Sequence, residues 1–172
     1  MRRRLGTSLY AGLLFTVLGA IAWGTGQPFV FPSLGPSAFL LAFDRRSDPS
    51  RAAGIVGAHV IGVAAGLAAW SVVAAGVPLT ATPAAFSPEG FRLAASATVS
   101  VMATTWAMIA TDAVHAPACA TTLIVSLGLL STPVQAAVIV VSVAVLVGVH
   151  ALVIQAFKRL VGDAHPAYRN SD

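Results

Sequence analysis

An aspartate and a histidine stand three positions apart in a strongly apolar stretch, Thr111 to Leu123, which reads TDAVHAPACATTL. Residues three apart share one face of a helix, so Asp112 and His115 could handle a proton together if the stretch is helical. Histidine titrates near neutral pH, which suits it to coupling or gating. The alternative is that Asp112 lies in a turn outside the apolar segments and His115 only orients the broken backbone.

A second histidine, His59, lies in GIVGAHVIGVAAG beside a ridge of small residues, Ala58, Gly62 and Gly66. Such a ridge lets two helices pack closely within a membrane. His59 is one position off the ridge, where it could line a pathway and take part in coupling or gating, but we favour an interhelical hydrogen bond. The histidines lack ligand spacing and Cys119 is the single cysteine, so no metal site and no cofactor are expected.

The composition predicts a membrane protein. Of the 172 residues, 57% are hydrophobic and only 9% are charged, whereas about 25% of the residues in soluble domains are charged. The formal charge of +4 comes from basic residues outside the apolar runs, a pattern typical of membrane topology and not of nucleic-acid binding. The sequence contains no hydrolase, phosphate-loop or paired-carboxylate motif, so no enzymatic activity is expected.

Four apolar segments are long enough to span a bilayer, which takes about 20 residues. They run from Leu5 to Gly24, Ala52 to Gly76, Phe91 to Ala110 and Val134 to Phe157. Apolar segments broken by proline, 27–43 and 112–130, follow the first and the third of them. This order predicts an all-α polytopic membrane protein with four full helices and two half-helices.

The same order of elements occurs twice, which indicates one transmembrane domain, 1–172, with half-repeats at about 5–76 and 91–157 and a polar cytoplasmic tail at 158–172. If both broken segments cross, the arginine-rich loop 44–51 lies beside the amino terminus, as the positive-inside rule favours. The halves are then inverted, three crossings each, with both termini on the cytoplasmic side of the plasma membrane. Two re-entrant dips in a four-helix protein are the alternative.

Small residues surround the predicted half-helix starts at Pro36 and Pro117, and residues 28–36 are expected to be extended. In inverted halves the two half-helix N-termini meet near the midplane, where free N–H groups and helix dipoles attract an anion. Tight helix packing alone is the competing explanation. The predicted substrate-binding residues carry small or hydroxyl side chains or the histidine: Ser33, Gly35, Ser37, Ala38, His115, Ala118, Thr121 and Thr122.

A further polar stripe, Ser96, Ser100 and Thr104, recurs every four residues along the third full helix. These hydroxyls could line a pore, or they could bond back to carbonyls of their own helix. The sequence leaves both explanations open.

The stretch His115-Ala116-Pro117-Ala118 with its following apolar run resembles the His-Pro-Pro motif of the HPP family of integral membrane proteins. The stretch PSLGPSAFLLAF (32–43) is similar to the family's small-residue break, and Pro49, Arg51 and Gly57-Ala58-His59 are similar to its proline, arginine and Gly-Gly-His element. The sequence departs from the family pattern at Ala116 and Ala58, where proline and glycine are usual.

The resemblance implies a membrane transporter, since some plant and cyanobacterial members are associated with nitrite transport. Family members are usually described with four transmembrane helices, so the six crossings are an expectation from the residues alone. The expected partners are a small anion, the bilayer and a second copy of the chain, with no nucleic acid. The alternative function is a non-transporting membrane subunit or scaffold that binds partner helices.

Overall fold

The computed structural model describes residues 2–45 and 48–161. In these ranges the chain forms helices and no strands: α1 Arg2–Thr25, α2 Leu34–Phe43, α3 Pro49–Val73, α4 Pro88–Ala110, α5 Pro117–Ser126 and α6 Pro133–Val161. Helices α1, α3, α4 and α6 are long and apolar enough to span a membrane, whereas α2 and α5 are short and apolar. The predicted fold class is confirmed. The predicted polar tail begins inside α6, and residues 162–172 lie outside the described residues.

Prolines begin several helices, because proline has a helical φ and lacks the N–H that would have no partner in the first turn. They are Pro49, Pro88, Pro117 and Pro133. Side chains cap these ends except that of α5: Ser87 accepts from the Gly90 amide at α4, and Asp48 accepts from the Ser50 hydroxyl and amide at α3, which lowers the pKa of the Asp48 carboxyl. Thr132 and Gln135 cap each other reciprocally. These caps start α3, α4 and α6 one to three residues before the predicted apolar spans.

The first half-helix starts earlier than predicted. Helix α2 begins at Leu34, so Pro36 is its third residue, and the non-helical stretch before it ends in a turn at 32–33. The predicted extended stretch 28–36 is therefore too long. Proline is tolerated throughout a first turn, where amides have no partner within the helix, so its position did not mark the start.

Contacts between helices establish their directions. The Arg45 guanidinium lies 5.2 Å from the centre of the Tyr10 ring, and the Tyr10 hydroxyl is 2.9 Å from His150 Nδ1. The start of α1, the end of α2 and the last part of α6 are thus together at one end of the bundle, which we call the basic end. Helix α4 starts at the opposite end, the loop end, where Arg92 donates to the carbonyl of Val73 at the end of α3.

Both broken segments connect opposite ends of the bundle. Helix α1 starts at the basic end, and α2 returns to that end, so the segment between them comes back from the loop end. The turn after α4 lies against the first part of α3, with Ala113 beside Gly57. Helix α5 then runs to the last part of α3, with Gly128 beside Trp70. The predicted crossing of both segments is confirmed within the bundle, and re-entrant dips do not fit these contacts.

Corresponding helices of the two halves run in opposite directions. Helices α1 and α3 run toward the loop end, and α4 and α6 run toward the basic end. The packed pairs also correspond: α1–α2 with α4–α5, α1–α6 with α3–α4, and α2–α6 with α3–α5. This is the inverted arrangement that the order of segments predicts. The half-repeat boundaries, 5–76 and 91–157, stay a prediction.

Helix α3 is packed closely on α5 through its ridge of small residues. A Cβ on Gly62 would lie 2.7 Å from the Ala118 carbonyl oxygen, and one on Gly66 would lie 2.8 Å from the Val125 Cβ. Both distances are shorter than real Cβ atoms allow. The predicted role of this ridge in close helix contact is confirmed, and the contact sets the distance between α3 and the start of α5.

Candidate functional site

Polar side chains from both halves meet in the interior of the bundle. They belong to α2 and its N-cap, to α3, and to α5 and the residue two positions before it: Ser33, Ser37, His59, His115 and Thr121. We call these residues the central cluster. Four of them are completely buried, and His115 retains 7% exposure. The sequence predicted all five as site residues.

His59 joins the two half-helices. Its Nδ1 lies 2.7 Å from the Thr121 hydroxyl on α5, and its Nε2 lies 3.3 Å from the Ser37 hydroxyl on α2. The Thr121 hydroxyl is also 2.7 Å from the Ser33 hydroxyl at the N-cap of α2. The predicted interhelical hydrogen bond of His59 is confirmed, and it connects three helices.

His115 contacts the cluster through Ser37. Its Nε2 lies 2.9 Å from the Ser37 hydroxyl, and its ring centre is 5.3 Å from that of His59. In the described part of the chain every buried side-chain nitrogen and oxygen has a hydrogen-bond partner. His115 is the one residue of the central cluster that is not completely buried, since it retains 7% exposure.

The distances in the central cluster are compatible with two orders of donors and acceptors. In one order Thr121 donates to His59 Nδ1, His59 Nε2 donates to Ser37, and Ser37 donates to the Ser33 carbonyl 3.2 Å away. In the other order His59 Nδ1 donates to Thr121 and Ser37 donates to His59 Nε2. Both give His59 one donor and one acceptor nitrogen, as a neutral imidazole requires. The cluster can therefore change its proton arrangement and keep the contacts of His59, but in the second order Ser37 no longer donates to the Ser33 carbonyl, because its hydroxyl has one proton.

The cluster lies near the middle of the apolar region. At about 1.5 Å per residue, His59 is roughly 15 Å along α3 from Pro49 and roughly 21 Å from Val73. The hydrocarbon core of a bilayer is about 30 Å thick. Polar groups at this depth need partners within the protein, which explains why the hydroxyls and imidazoles bond to one another.

The first amides of α5 are already used within the chain. The Ala118 amide donates to the His115 carbonyl at 2.9 Å, and the Cys119 amide donates to the Ala116 carbonyl at 3.0 Å. Pro117, the first residue of α5, has no N–H. The expected free amides are therefore occupied at this half-helix, and the groups that point into the cluster are side chains.

The other predicted binding residues lie beside the central cluster. Thr122 points to α4, where its hydroxyl is 2.8 Å from the Thr104 hydroxyl, and it also lies 3.1 Å from the Ala118 carbonyl oxygen. Ala38 and Ala118 are buried in apolar contacts, and Gly35 is partly buried. These residues take no part in the hydrogen bonds that join the five cluster residues, and their role in binding stays a prediction.

Asp112 is separate from the cluster. It is exposed in the turn that follows α4, with a left-handed φ of 55°, a conformation that aspartate tolerates better than most residues. Its carboxylate forms no hydrogen bond or ion pair with the described residues. The structure thus does not pair Asp112 with His115. Asp112 lies in a turn, as the alternative explanation of this stretch predicts.

The hydroxyl stripe of α4 packs against α5. Ser96 donates to the Ser126 carbonyl at 2.8 Å, and Thr104 meets Thr122, whereas Ser100 donates to the Ala97 carbonyl of its own helix. All three hydroxyl residues of the stripe are completely buried. The stripe holds α4 and α5 together in this structure.

Two polar contacts at the basic end were not predicted. One is the pair of Tyr10 and the buried His150. In the other, Arg51 Nη1 lies 3.0 Å from an oxygen of the Asp44 carboxylate, and the same group donates to the Asp44 carbonyl. This ion pair ties the end of α2 to the start of α3. Opposite charges on either side of the short loop were the available signal, but Arg51 was interpreted as a basic residue of the loop and as part of the proline, arginine and Gly-Gly-His element.

Inverted halves with broken helices that meet at a polar cluster in the apolar interior define a multi-pass membrane protein of the discontinuous-helix type. Residues 1–163 match the family described as "HPP, transmembrane region". The chain therefore belongs to the HPP family, and the resemblance noted in the sequence is confirmed. Comparison with curated proteins and comparison with solved structures each give no match.

Proposed function

We propose that this HPP family protein transports a small inorganic anion, with nitrite as the first candidate, through the central cluster. The observation that carries the proposal is that two half-helices start at the same group of buried hydroxyls and imidazoles. The starts of both half-helices, where the positive ends of the helix dipoles lie, contribute residues to this group, and broken helices supply such ends to anion sites in other transporters. The function proposed is movement of an ion and not catalysis.

The groups around the cluster favour a negative substrate. Among the described residues the cluster contains hydroxyls and imidazoles, all of which can donate a hydrogen bond, and no carboxylate. A cation at the same place would meet no compensating negative charge. Since the first amides of α5 are occupied, Ser37, Thr121 and the two imidazoles would be the direct ligands.

We assign proton coupling or gating to His59 and His115. Both rings bond to the same Ser37 hydroxyl, and His115 is the one cluster residue that retains some exposure, 7%. An anion that displaces Ser37 from either ring would change which nitrogen carries a proton. The third predicted member, Asp112, lies outside the cluster, so the proposal depends on the two histidines.

Uptake of anions into proteoliposomes tests the function. We expect the purified protein to take up nitrite, and we expect His115→Ala and Ser37→Val each to reduce the initial rate at least about tenfold. A hydrogen bond to a charged group contributes about 1.5–3 kcal/mol, which corresponds to about 10-fold to 150-fold. Thr98→Val is the control, because the Thr98 hydroxyl is exposed and donates to the Ala94 carbonyl of its own helix.

A panel of nitrite, nitrate, formate and chloride identifies the substrate in the same assay. Folded protein that takes up none of these anions overturns the transport proposal and favours the alternative of a subunit that binds partner helices. An equal loss of uptake in Thr98→Val shows that the assay reports general damage to the bundle and contradicts the assignment of Ser37 and His115.

We further propose that the basic end faces the cytoplasm in the plasma membrane. Arg45, Arg51, Lys158 and Arg159 lie at this end, whereas Arg92 lies at the loop end. Basic residues concentrate on the cytoplasmic side of membrane proteins. Both ends of the described chain would then be cytoplasmic.

Cysteine labelling in intact cells tests this orientation. In a Cys119→Ala background we expect a membrane-impermeant thiol reagent to label Ala81→Cys in the loop end and not Ser50→Cys at the basic end; both positions are exposed. Permeabilised cells serve as the control, since both cysteines should then react. Labelling of Ser50→Cys alone in intact cells contradicts the proposed orientation.

A further inference from the structure

A cavity of about 260 Å³ opens at the basic end between α2, α3 and α6. Its walls include the apolar Leu41, Ala52, Ile55 and Val147, and the oppositely charged Arg51 and Asp48 both belong to the lining. One water molecule occupies about 30 Å³ in the liquid. The cavity therefore has room for several waters or for a small hydrated ion.

The inner wall of the cavity lies next to the central cluster, on the side of the basic end. Leu41 is one helical turn after Ser37 on α2, and Ile55 is one turn before His59 on α3, so each shares a helix face with a cluster residue. Leu41 and Ile55 are 2% and 4% exposed. Leu41 and Ile55 thus line the cavity and lie one helical turn from Ser37 and His59.

An apolar pair of side chains next to a cavity with charged groups at its mouth suits a gated pathway. An apolar constriction blocks ions because it does not hold water, and it opens when its side chains move by a small distance. The carboxylate of Asp44 holds Arg51 on the cavity wall, and the Asp48 carboxylate is held by its cap to Ser50, so the charges near the mouth are fixed in position.

We infer that this cavity is the vestibule through which the anion reaches the central cluster from the basic end, and that Leu41 and Ile55 form the gate. The inference rests on the proposed transport function. It adds an entrance, a direction and two gate residues that neither the family nor the cluster itself specifies.

Thiol accessibility tests the gate without any measurement of transport. The reporter is Ser37→Cys in a Cys119→Ala background, treated with a small anionic methanethiosulfonate in inside-out vesicles and in right-side-out vesicles. We expect slow labelling of this cysteine, and we expect Ile55→Ala to raise the labelling rate at least about tenfold from the basic end. Leu41→Ala is a second variant with the same expected effect.

Val63→Ala is the matched control. Val63 is buried on α3 one turn beyond His59, so it flanks the cluster on the side away from the cavity. Truncation of Val63 should leave the reporter rate from the basic end unchanged. An equal increase in Val63→Ala, or no increase in both Ile55→Ala and Leu41→Ala, overturns the gate.

A second reporter, Ala52→Cys, tests the vestibule itself. We expect the same reagent to modify it from the basic end with no other change, and we expect the added group to reduce nitrite uptake at least about tenfold. Complete modification with full uptake overturns the entrance and leaves transport standing. Modification of Ala52→Cys in a protein that takes up none of the tested anions overturns the transport function while the accessible cavity stands.

Discussion

Replacement of His59 by alanine is expected to reduce anion uptake to the background rate and to lower the free energy of unfolding by about 2–5 kcal/mol. The side chain is completely buried and bonds to Ser37 on α2 and Thr121 on α5. Alanine leaves a void and removes a partner from two buried hydroxyls, and both effects destabilise the fold. The loss removes one link between the half-helices, although the Ser33–Thr121 contact remains, and in the proposed function it also removes a ligand of the anion. Uptake in proteoliposomes and denaturant titration in detergent measure the two effects.

A conservative replacement separates the role of His59 in the fold from its role in coupling. Asparagine can place an amide near the Thr121 hydroxyl, so His59→Asn should recover part of the stability that alanine loses. It has no titratable group, so uptake should remain low. Full uptake by His59→Asn contradicts a coupling role for the imidazole and leaves His59 as a structural partner of Thr121.

A buried hydroxyl outside the cluster provides the control for stability. Ser96→Ala removes the donor to the Ser126 carbonyl between α4 and α5, which should lower the free energy of unfolding by about 1–3 kcal/mol. Uptake should persist in this variant, because Ser96 does not bond to the central cluster. If Ser96→Ala loses uptake as fully as His59→Ala, loss of bundle stability and not loss of the cluster explains both results.

The elements of this fold could be predicted because they depend on local sequence. Apolar length identifies the long helices, and prolines mark where the broken segments enter the bundle. The direction of the broken segments followed from the arginines around 44–51, since basic residues prefer one side of a membrane. The predicted helix ends were less accurate. Helix α2 begins at Leu34 and not at Pro36, because a proline fits several positions of a first turn.

The contacts of the site could be predicted only in part. Four of the cluster residues were identified by type and by their distance from the prolines, and His59 was identified as a histidine beside the ridge of small residues. Their partners depend on how the helices rotate and approach, which no local pattern contains. This is why Thr122, next to Thr121, faces α4, and why Asp112 is not joined to His115 despite their spacing. The bonds of the first α5 amides also depend on the tight turn at His115.

The spacing of α3 and α5 depends on Gly62, and its replacement by alanine should affect both stability and uptake. A Cβ at this position would lie 2.7 Å from the Ala118 carbonyl oxygen and 2.8 Å from the Thr122 hydroxyl. The hydroxyl can rotate away, but the carbonyl belongs to the backbone of α5, so the helix itself must move. We expect a loss of about 1–3 kcal/mol in the free energy of unfolding, the usual range for overpacking.

The same displacement of α5 should separate Thr121 from His59, because Thr121 lies between Ala118 and Thr122 on α5. The Thr121 hydroxyl and His59 Nδ1 are 2.7 Å apart. We therefore expect Gly62→Ala to lose uptake at least about tenfold. Gly54→Ala is the matched control on the same helix, because a Cβ there meets no atom within 4 Å. It should raise the helix propensity of α3, with a gain of up to about 1 kcal/mol, and keep full uptake. Equal stability and uptake in the two variants would show that α5 can move without disturbing the cluster. This result would contradict the claim that close packing of α3 on α5 positions the site.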